Sequence, residues 1–163
     1  LQAIQAPIKA RLREQPEAAR ITLRAEGDLD PEEIACSVAT GRALVEAGLH
    51  PATGGDGLQA CSGDMLLQAL VACAGVTLRS VATSMELVVT GRVRAEGDLD
   101  FRGTLGVDRE VPVGFRAIRL LFDLETDASA EQVATLLRLT ERYCVVYQTL
   151  AGGVRLSAGP AAG

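Results

Sequence analysis

The chain has 163 residues, of which 48% are hydrophobic and 23% are charged, a composition typical of a globular protein with one apolar core. Its formal net charge of −5 argues against a protein that binds nucleic acid, because contacts to backbone phosphates require a basic face. The same acidity disfavours binding to an anionic membrane surface.

The N-terminal third is predicted to contain a helix followed by strands. The helix covers residues 7–19, because Pro7 suits a first helical turn and apolar residues recur after it at helical spacing. Pro16 indicates that this helix is short or kinked. Strands follow at residues 21–25 and 34–40, and residues 43–47 continue the second strand or add a third. A glycine-rich loop, HPATGGDG, then covers residues 50–57.

A long apolar helix is predicted from Ser62, as its cap, to about Thr83. It is apolar on almost all sides for four turns, which indicates burial on most sides. In so small a protein this favours a second subunit that covers part of the helix. The apolar run at residues 65–78 is interrupted by Gln68, so we expect it to be too short to span a membrane.

The C-terminal half is predicted to contain three strands, two helices and a last strand. Ser129 and Gln132 match a capping box that starts a helix over residues 130–142, and Gly152 and Gly153 end a short second helix over 146–150. The strands are predicted at residues 87–95, 101–107, 115–124 and 154–157. This order of elements indicates the α+β class, because it lacks a regular βαβ alternation.

The heptapeptide RAEGDLD occurs twice, at Arg24–Asp30 and Arg94–Asp100. Its spaced acids suggest a cation site, but a calcium loop needs more oxygen ligands in register. We therefore interpret each copy as the end of a strand followed by a Gly-Asp turn.

The four cysteines are candidates for the chemistry of this chain. They do not form a CxxC pair and there is one histidine, His50, so we expect no metal and no cofactor. No secretion signal is recognisable in the N-terminal residues, so we expect reduced thiols in the cytoplasm. Cys36 lies in a strand pattern and is expected in the core. Cys61 precedes a helix start, where a thiolate is favoured, and is either a further redox thiol or a small loop residue.

Cys73 and Cys144 lie in helices whose patterns predict burial. Cys73 shares one helical face with Leu66, Leu70 and Thr77, and Cys144 ends the helix over residues 130–142. A buried free cysteine often acts as a small hydrophobic residue, so spacing alone leaves two interpretations, packing and redox chemistry.

Two segments resemble the OsmC/Ohr-like family. The segment GGDGLQACSGDMLLQALVACAGVTL is similar to the family's glycine-rich loop and central helix, with Cys73 at the first cysteine. The segment EQVATLLRLTERYCVVYQTL is similar to its second helix, with Cys144 at the second cysteine. The resemblance covers residues 21–157. It implies one OsmC-like domain over residues 1–163, with a helical extension at 1–20 and a disordered tail at 158–163.

The resemblance also implies a fold and an activity. The fold is one of sheets packed around a long buried central helix plus a second helix, in an intertwined homodimer with its sites at the subunit boundary. The activity is a thiol-dependent peroxidase in which Cys73 is oxidised to a sulfenic acid and Cys144 resolves it as a disulfide. A peroxide and a thiol reductant would then be its small-molecule partners. Apolar residues around Cys73 favour an organic hydroperoxide.

Several residues depart from the family pattern or leave a role open. Gly63 stands where the hydroperoxide-resistance branch has a glutamate. Asp64 follows it and matches an acid of other branches, but helical geometry places it opposite Cys73, so it is also interpreted as a first-turn stabiliser. Val145 stands where the family often has proline.

A cation is expected beside Cys73, because that residue lies too deep in its own helix for the helix dipole to lower its pKa. Arg42 is the best candidate, although a solvated arginine at a strand end is the alternative. Arg142 is close to Cys144 in sequence, and its alternative is a cation that stabilises a helix C-terminus. The one histidine is not expected to be a ligand.

Two other functions remain open at this point. The chain could be an OsmC-like dimer that binds a small molecule without efficient turnover, which the absence of the glutamate at Gly63 favours. It could also be a redox sensor in which Cys61 or Cys73 reports oxidation. Rapid turnover with a reducing thiol separates the peroxidase from both.

Overall fold

The computed structural model describes residues 2–29, 31, 36–38 and 47–160. Helix α1 (Gln2–Glu14) is followed by a 3₁₀ turn at Pro16–Ala19. The predicted helix is therefore confirmed, but it starts earlier and Pro7 lies inside it. Pro16 ends the helix because its nitrogen carries no hydrogen to continue the α-helical bonding, and it starts the 3₁₀ turn instead.

The main sheet has four antiparallel strands in the order β2-β1-β5-β6. These strands are β1 (Arg20–Leu29), β2 (Cys36–Val38), β5 (Thr90–Asp100) and β6 (Ala117–Glu125). Strands β3 (Ala47–Gly48) and β4 (Ala60–Cys61) form a separate parallel pair. The strands predicted at 21–25, 34–40, 87–95 and 115–124 are confirmed with shifted bounds. Of the strand predicted at residues 43–47, the structure describes Ala47, and residues 43–46 lie outside the described residues.

The two RAEGDLD copies lie side by side as partners in the sheet. The register of β1 and β5 places Arg24 opposite Glu96, Ala25 opposite Ala95 and Glu26 opposite Arg94. The predicted Gly-Asp turn is therefore wrong: Gly27 and Gly97 both lie within strands. On the outer face, the acids of this region face arginines rather than a cation site, as in the pairs Arg92–Asp28 at 3.0 Å and Arg94–Asp123 at 2.8 Å.

Two predicted strands are absent from their segments. Residues 101–104 form a single helical turn, α3 (Phe101–Thr104), because the carboxylate of Asp100 accepts the backbone N–H of Arg102 and caps a helix start. Residues 154–157 are exposed and without regular structure, and no described strand pairs with them. A strand forms only where a neighbouring strand can bond its backbone N–H and C=O groups. The apolar pattern of a segment does not show whether it has such a neighbour.

Helix α2 (Ser62–Ser84) is the centre of the fold and confirms the predicted long apolar helix. Its N-terminal cap is Cys61 rather than the predicted Ser62, so the helix begins one residue earlier than predicted. One side packs against β1 and β5, and another against the two C-terminal helices, α4 (Ala130–Tyr143) and α5 (Val145–Gly152). The buried residues of α2 are Leu67, Leu70, Val71, Ala74, Gly75, Leu78, Arg79, Val81 and Ala82.

By length and composition α2 could cross a membrane, so the prediction that this segment is too short was wrong. Half of the apolar stretch is nevertheless buried inside the fold. Core helices of globular proteins have the same length and composition, and the packing of α2 is of that kind.

Helix α4 (Ala130–Tyr143) begins with the predicted capping box. Ser129 Oγ accepts the N–H of Gln132 at 3.3 Å, and Gln132 Oε1 accepts the N–H of Ser129 at 2.9 Å. Helix α5 (Val145–Gly152) follows after the single residue Cys144. The two helices lie against α2, so helices and an antiparallel sheet share one core, as the α+β prediction requires.

We expect Leu78→Ala to lower the free energy of unfolding by about 2–5 kcal/mol, because Leu78 is fully buried in α2 and its truncation leaves a cavity. Urea unfolding followed by circular dichroism measures the change. Val88→Ala is the matched control, since the side chain of Val88 is 84% exposed. Equal effects of the two substitutions would contradict this position of α2 in the core.

Candidate functional site

Cys73 and Cys144 meet where α2 passes the junction between α4 and α5. Cys73 is half-buried on α2, Cys144 is fully buried, and the two thiols are close enough to shift each other's pKa. Both are free thiols rather than a disulfide. The structure therefore brings together the two cysteines that the sequence singled out.

The backbone of Cys144 is fixed on both sides by hydrogen bonds. Its N–H donates to the carbonyl of Thr140, and its own carbonyl accepts the N–H of Gln148, both at 2.9 Å. Its Sγ accepts the N–H of Tyr147 at 3.5 Å, so the side chain caps α5. Cys144 thus ends one helix and begins the next, which fixes its sulfur at the surface of α2.

Opposing influences determine the pKa of the Cys73 thiol. Burial acts to raise the pKa of this thiol, but hydrogen bonds from the backbone N–H groups of Val146 and Val145, from the thiol of Cys144 and from the hydroxyl of Thr77 oppose it. The net result is a pKa below the ordinary thiol value. Cys73 is therefore the thiol that ionises first.

Cys144 has the opposite character. Burial raises its pKa to about 11, and its hydrogen bond to Cys73 and the negative charge on Cys73 add to that rise, while the N–H of Tyr147 opposes it. The pair thus combines a thiol of lowered pKa, Cys73, with a thiol of raised pKa, Cys144. This inequality suits a nucleophile and its resolving partner.

The predicted arginine is not among the groups that lower the pKa of Cys73. Arg42 lies outside the described residues. Arg142 is exposed and places its guanidinium 5.8 Å from the ring centre of Tyr143. The groups that lower it include backbone N–H groups of α5.

Asp64 and His50 belong to a different part of the molecule. Asp64 is nine residues before Cys73 on α2, about 14 Å along the helix axis. Burial raises the pKa of its carboxyl, and the nearby His50 opposes part of that rise. His50 Nδ1 accepts the N–H of Ala52 at 3.0 Å, and its ring lies 5.3 Å from that of Phe101. These contacts cap a 3₁₀ turn at Pro51–Thr53 and do not reach the thiol pair.

Cys61 and Cys36 also lie away from the pair. Cys61 occupies the cap position of α2, but its side chain makes no capping hydrogen bond and packs against the core. Cys36 begins β2, and its side chain is outside the described residues. Within the described ranges, no group of three or more His, Cys, Asp or Glu residues could hold a metal ion.

An apolar cleft of about 550 Å³ lies between α2, the start of β6 and α5. It adjoins the thiol pair: Leu70 is one turn before Cys73 on α2, and Tyr147 donates its N–H to Cys144 Sγ. Arg116 is the charged residue of its lining. Phe115, which lines the cleft, packs closely against Gly97 of β5. Position 97 requires glycine because a Cβ there would collide with the ring of Phe115. The lining residues of the cleft are Leu66, Leu70, Gly114, Phe115, Arg116, Ala117, Ile118, Leu120, Tyr147, Leu150 and Ala151.

Sequence reasoning did not find the contributions of Val145, Val146 and Tyr147. The signal was present, because the last predicted helix follows Cys144 almost directly and a helix start carries free N–H groups. It was missed because that helix was placed at residues 146–150, one residue too late at its start.

Three comparisons with known proteins bear on this chain. A family model described as OsmC-like protein matches residues 54–158. The crystal structure of an OsmC-like hydroperoxide resistance protein from Jannaschia sp. CCS1 superposes with a TM-score of 0.55 at 13% sequence identity, covering 85% of this chain and 91% of that one. At this identity the similarity concerns the fold. No curated protein matches the chain.

We expect iodoacetamide to modify Cys73 faster than Cys144 at neutral pH, because the thiolate is the nucleophile and Cys73 ionises before Cys144. Cys144 should resist modification until the pH approaches about 11. Peptide mapping by mass spectrometry over a pH series gives each rate, with Cys73→Ser as the control for assignment. Faster modification of Cys144 would reverse the assigned roles.

Proposed function

The chain belongs to the OsmC-like protein family, and on that premise we propose that it is a thiol-dependent peroxidase that reduces organic hydroperoxides through Cys73 and Cys144. The observation that carries the proposal is the pair of free thiols that influence each other, with the pKa of Cys73 lowered and that of Cys144 raised. A low-pKa thiol beside a second, protonated thiol is the arrangement that a peroxide-reducing pair requires.

In the first step, the thiolate of Cys73 attacks the terminal oxygen of the hydroperoxide. A sulfur–oxygen bond forms, the oxygen–oxygen bond breaks, and the leaving alkoxide takes up a proton and departs as an alcohol. Cys73 becomes a sulfenic acid, oxidised by two electrons. The N–H groups of Val145 and Val146 and the hydroxyl of Thr77 stabilise the thiolate before the attack.

In the second step, the sulfur of Cys144 attacks the sulfenic sulfur of Cys73. A disulfide forms, and the sulfenic oxygen leaves with two protons as water. The mutual influence of the two thiols on their pKa values supports this step, because only side chains that lie close together form a disulfide. An external thiol reductant then supplies two electrons and two protons and restores both thiols.

The cleft beside the thiols supports an organic substrate. Leucine, isoleucine and aromatic side chains line most of its 550 Å³, and such a surface binds alkyl or aryl groups better than it binds hydrogen peroxide. The similar protein from Jannaschia sp. CCS1 is described as a hydroperoxide resistance protein, which is in keeping with this substrate class.

A second candidate function is favoured by the same cleft. An OsmC-like dimer that binds a small molecule, or senses oxidation, without efficient turnover would also need an apolar cavity of this size. Gly63 in place of the family's glutamate supports this alternative. Saturable binding of an apolar ligand without consumption of peroxide would favour it over the peroxidase.

We further propose a homodimer in the cytoplasm. The outward side of α2 carries Met65, Leu66 and Val76, whose side chains are 37–41% exposed although they belong to the central helix. A second copy of the chain that packs on this stripe would bury it and lie next to Cys73, which shares that side of α2.

The cytoplasmic location is supported by the cysteines. Free thiols at three described cysteines suit a reducing compartment.

We expect Cys73→Ser to abolish consumption of cumene hydroperoxide in a steady-state assay with a dithiol reductant, because the attacking thiolate is gone. Cys144→Ser should stop turnover but allow one round of oxidation of Cys73, which dimedone labelling detects. Cys61→Ser is the matched control and should keep full activity, since Cys61 lies about three turns from Cys73. Full activity in Cys73→Ser would refute the peroxidase.

For the dimer, we expect the wild-type chain to elute at twice its monomer mass in size-exclusion chromatography with light scattering. Val76→Glu should shift it toward monomer, because a buried unpaired carboxylate at an interface is costly. Val88→Glu, at a fully solvated position outside the stripe, should leave the dimer intact. A monomeric wild-type chain would disprove this assembly.

A further inference from the structure

The buried carboxylate of Asp100, at the end of β5, lies among three arginines. Arg102 takes both of its oxygens: Nε donates to Oδ1 at 3.1 Å, and Nη2 donates to Oδ2 at 2.7 Å. The other two guanidiniums stand farther off, with Arg20 Nε 3.9 Å and Arg116 Nη1 3.8 Å from Oδ2. These two distances exceed the length of a hydrogen bond, so Arg102 is the arginine that Asp100 binds directly.

The guanidiniums of Arg20 and Arg116 keep their hydrogen-bond donors available. Among the described residues, neither guanidinium donates to a protein acceptor, and the two side chains are 60% and 47% exposed. Asp100 attracts both, but its oxygens already accept the bidentate pair from Arg102. Arg20 and Arg116 therefore present positive charge and free donors on the surface of a chain whose net charge is −5.

Both of these arginines line a hollow of about 380 Å³ that adjoins the apolar cleft. Arg116 and Ala117 belong to the lining of the hollow and of the cleft, so the two meet at the start of β6. Asp98 also lines the hollow, but Arg119 and the hydroxyl of Thr22 already donate to its carboxylate. The charge that the hollow offers to a ligand is therefore positive.

We propose that Arg116, together with Arg20, binds the carboxylate of a substrate whose apolar part lies in the cleft. The inference rests on the proposed function and names its substrate class, a hydroperoxide of an apolar organic acid rather than a neutral hydroperoxide. A guanidinium matches the two oxygens of a carboxylate. Apart from Arg116, the described lining of the cleft is uncharged, so one end of the substrate is polar and the rest apolar.

The position of Arg116 also orients such a substrate. Its backbone N–H donates to the carbonyl of Asp98 at 2.8 Å, which fixes the main chain at the start of β6. Tyr147, whose N–H donates to the sulfur of Cys144, lines the cleft from α5, a different element. A carboxylate held at Arg116 therefore leaves the apolar chain to extend along the cleft toward the thiols, with the peroxide group separated from the carboxylate.

The test compares two probes with the same alkyl chain, decanoate and 1-decanol, by isothermal titration calorimetry of the full chain at low ionic strength. We expect decanoate to bind about fivefold to tenfold more tightly, because a charged head group gains an ion pair at a partly exposed arginine. The preference should shrink in concentrated salt, which screens exposed charges. Equal affinity for the two probes overturns the inference, and this comparison needs no variant.

Arg116→Gln assigns the preference to its residue. We expect this variant to lose the tighter binding of decanoate and to bind 1-decanol like the wild-type chain, whereas Arg116→Lys should keep part of the preference because it keeps the charge. Arg138→Gln is the matched control, since Arg138 is an exposed arginine of α4 outside the cleft and the hollow. A preference that survives in folded Arg116→Gln, or equal weakening of both probes, counts against a carboxylate site at Arg116.

Binding of the two probes needs no peroxide, so it separates this inference from the proposed peroxidase. A preference for decanoate in a chain that consumes no peroxide supports the carboxylate site and refutes the enzyme. Consumption of cumene hydroperoxide by a chain without the preference keeps the enzyme and overturns the inference. If both hold, Arg116→Gln should raise the KM for a carboxylate-bearing hydroperoxide by about fivefold to tenfold with little change in kcat, because the ion pair is equally present in the ground and transition states.

Discussion

The burial of α2 is the constraint on which the rest of the structure depends. Four turns of this 23-residue helix are apolar almost all round, so the helix needs the sheet on one side and α4 with α5 on another. This packing places Cys73 opposite the one-residue junction between α4 and α5. The thiol pair is therefore a product of helix packing, and its geometry follows from how closely these three helices fit.

Local signals in the sequence were sufficient for the elements of this core. The capping box at Ser129 and Gln132 predicted the start of α4, and continuous apolar character predicted α2. They failed where a distant or polar partner decides the outcome. Asp100 caps a helical turn that β-pattern reasoning does not anticipate, and the pairing of the RAEGDLD copies depends on strand order, which periodicity does not encode.

The thiol pair was located from a family resemblance, but its electrostatics required coordinates. Sequence reasoning looked for an arginine because a cation is the common means of lowering the pKa of a cysteine. Two of the donors that lower the pKa of Cys73 are backbone groups, which every residue except proline possesses and which no motif displays. Whether they converge on a sulfur depends on where a helix begins, and helix boundaries are the least certain part of a sequence-based prediction.

The paired RAEGDLD copies carry a consequence for how the chain folds. In an antiparallel arrangement the heptapeptide complements itself, with arginine opposite glutamate at both ends of a central alanine pair. The two copies are far apart along the chain, so their pairing during folding is slow. Until they pair, each copy can pair equally well with a copy in a neighbouring molecule. The native sheet prevents this intermolecular pairing because both copies lie in interior strands, where each copy's hydrogen-bonding edge is already paired with the other copy.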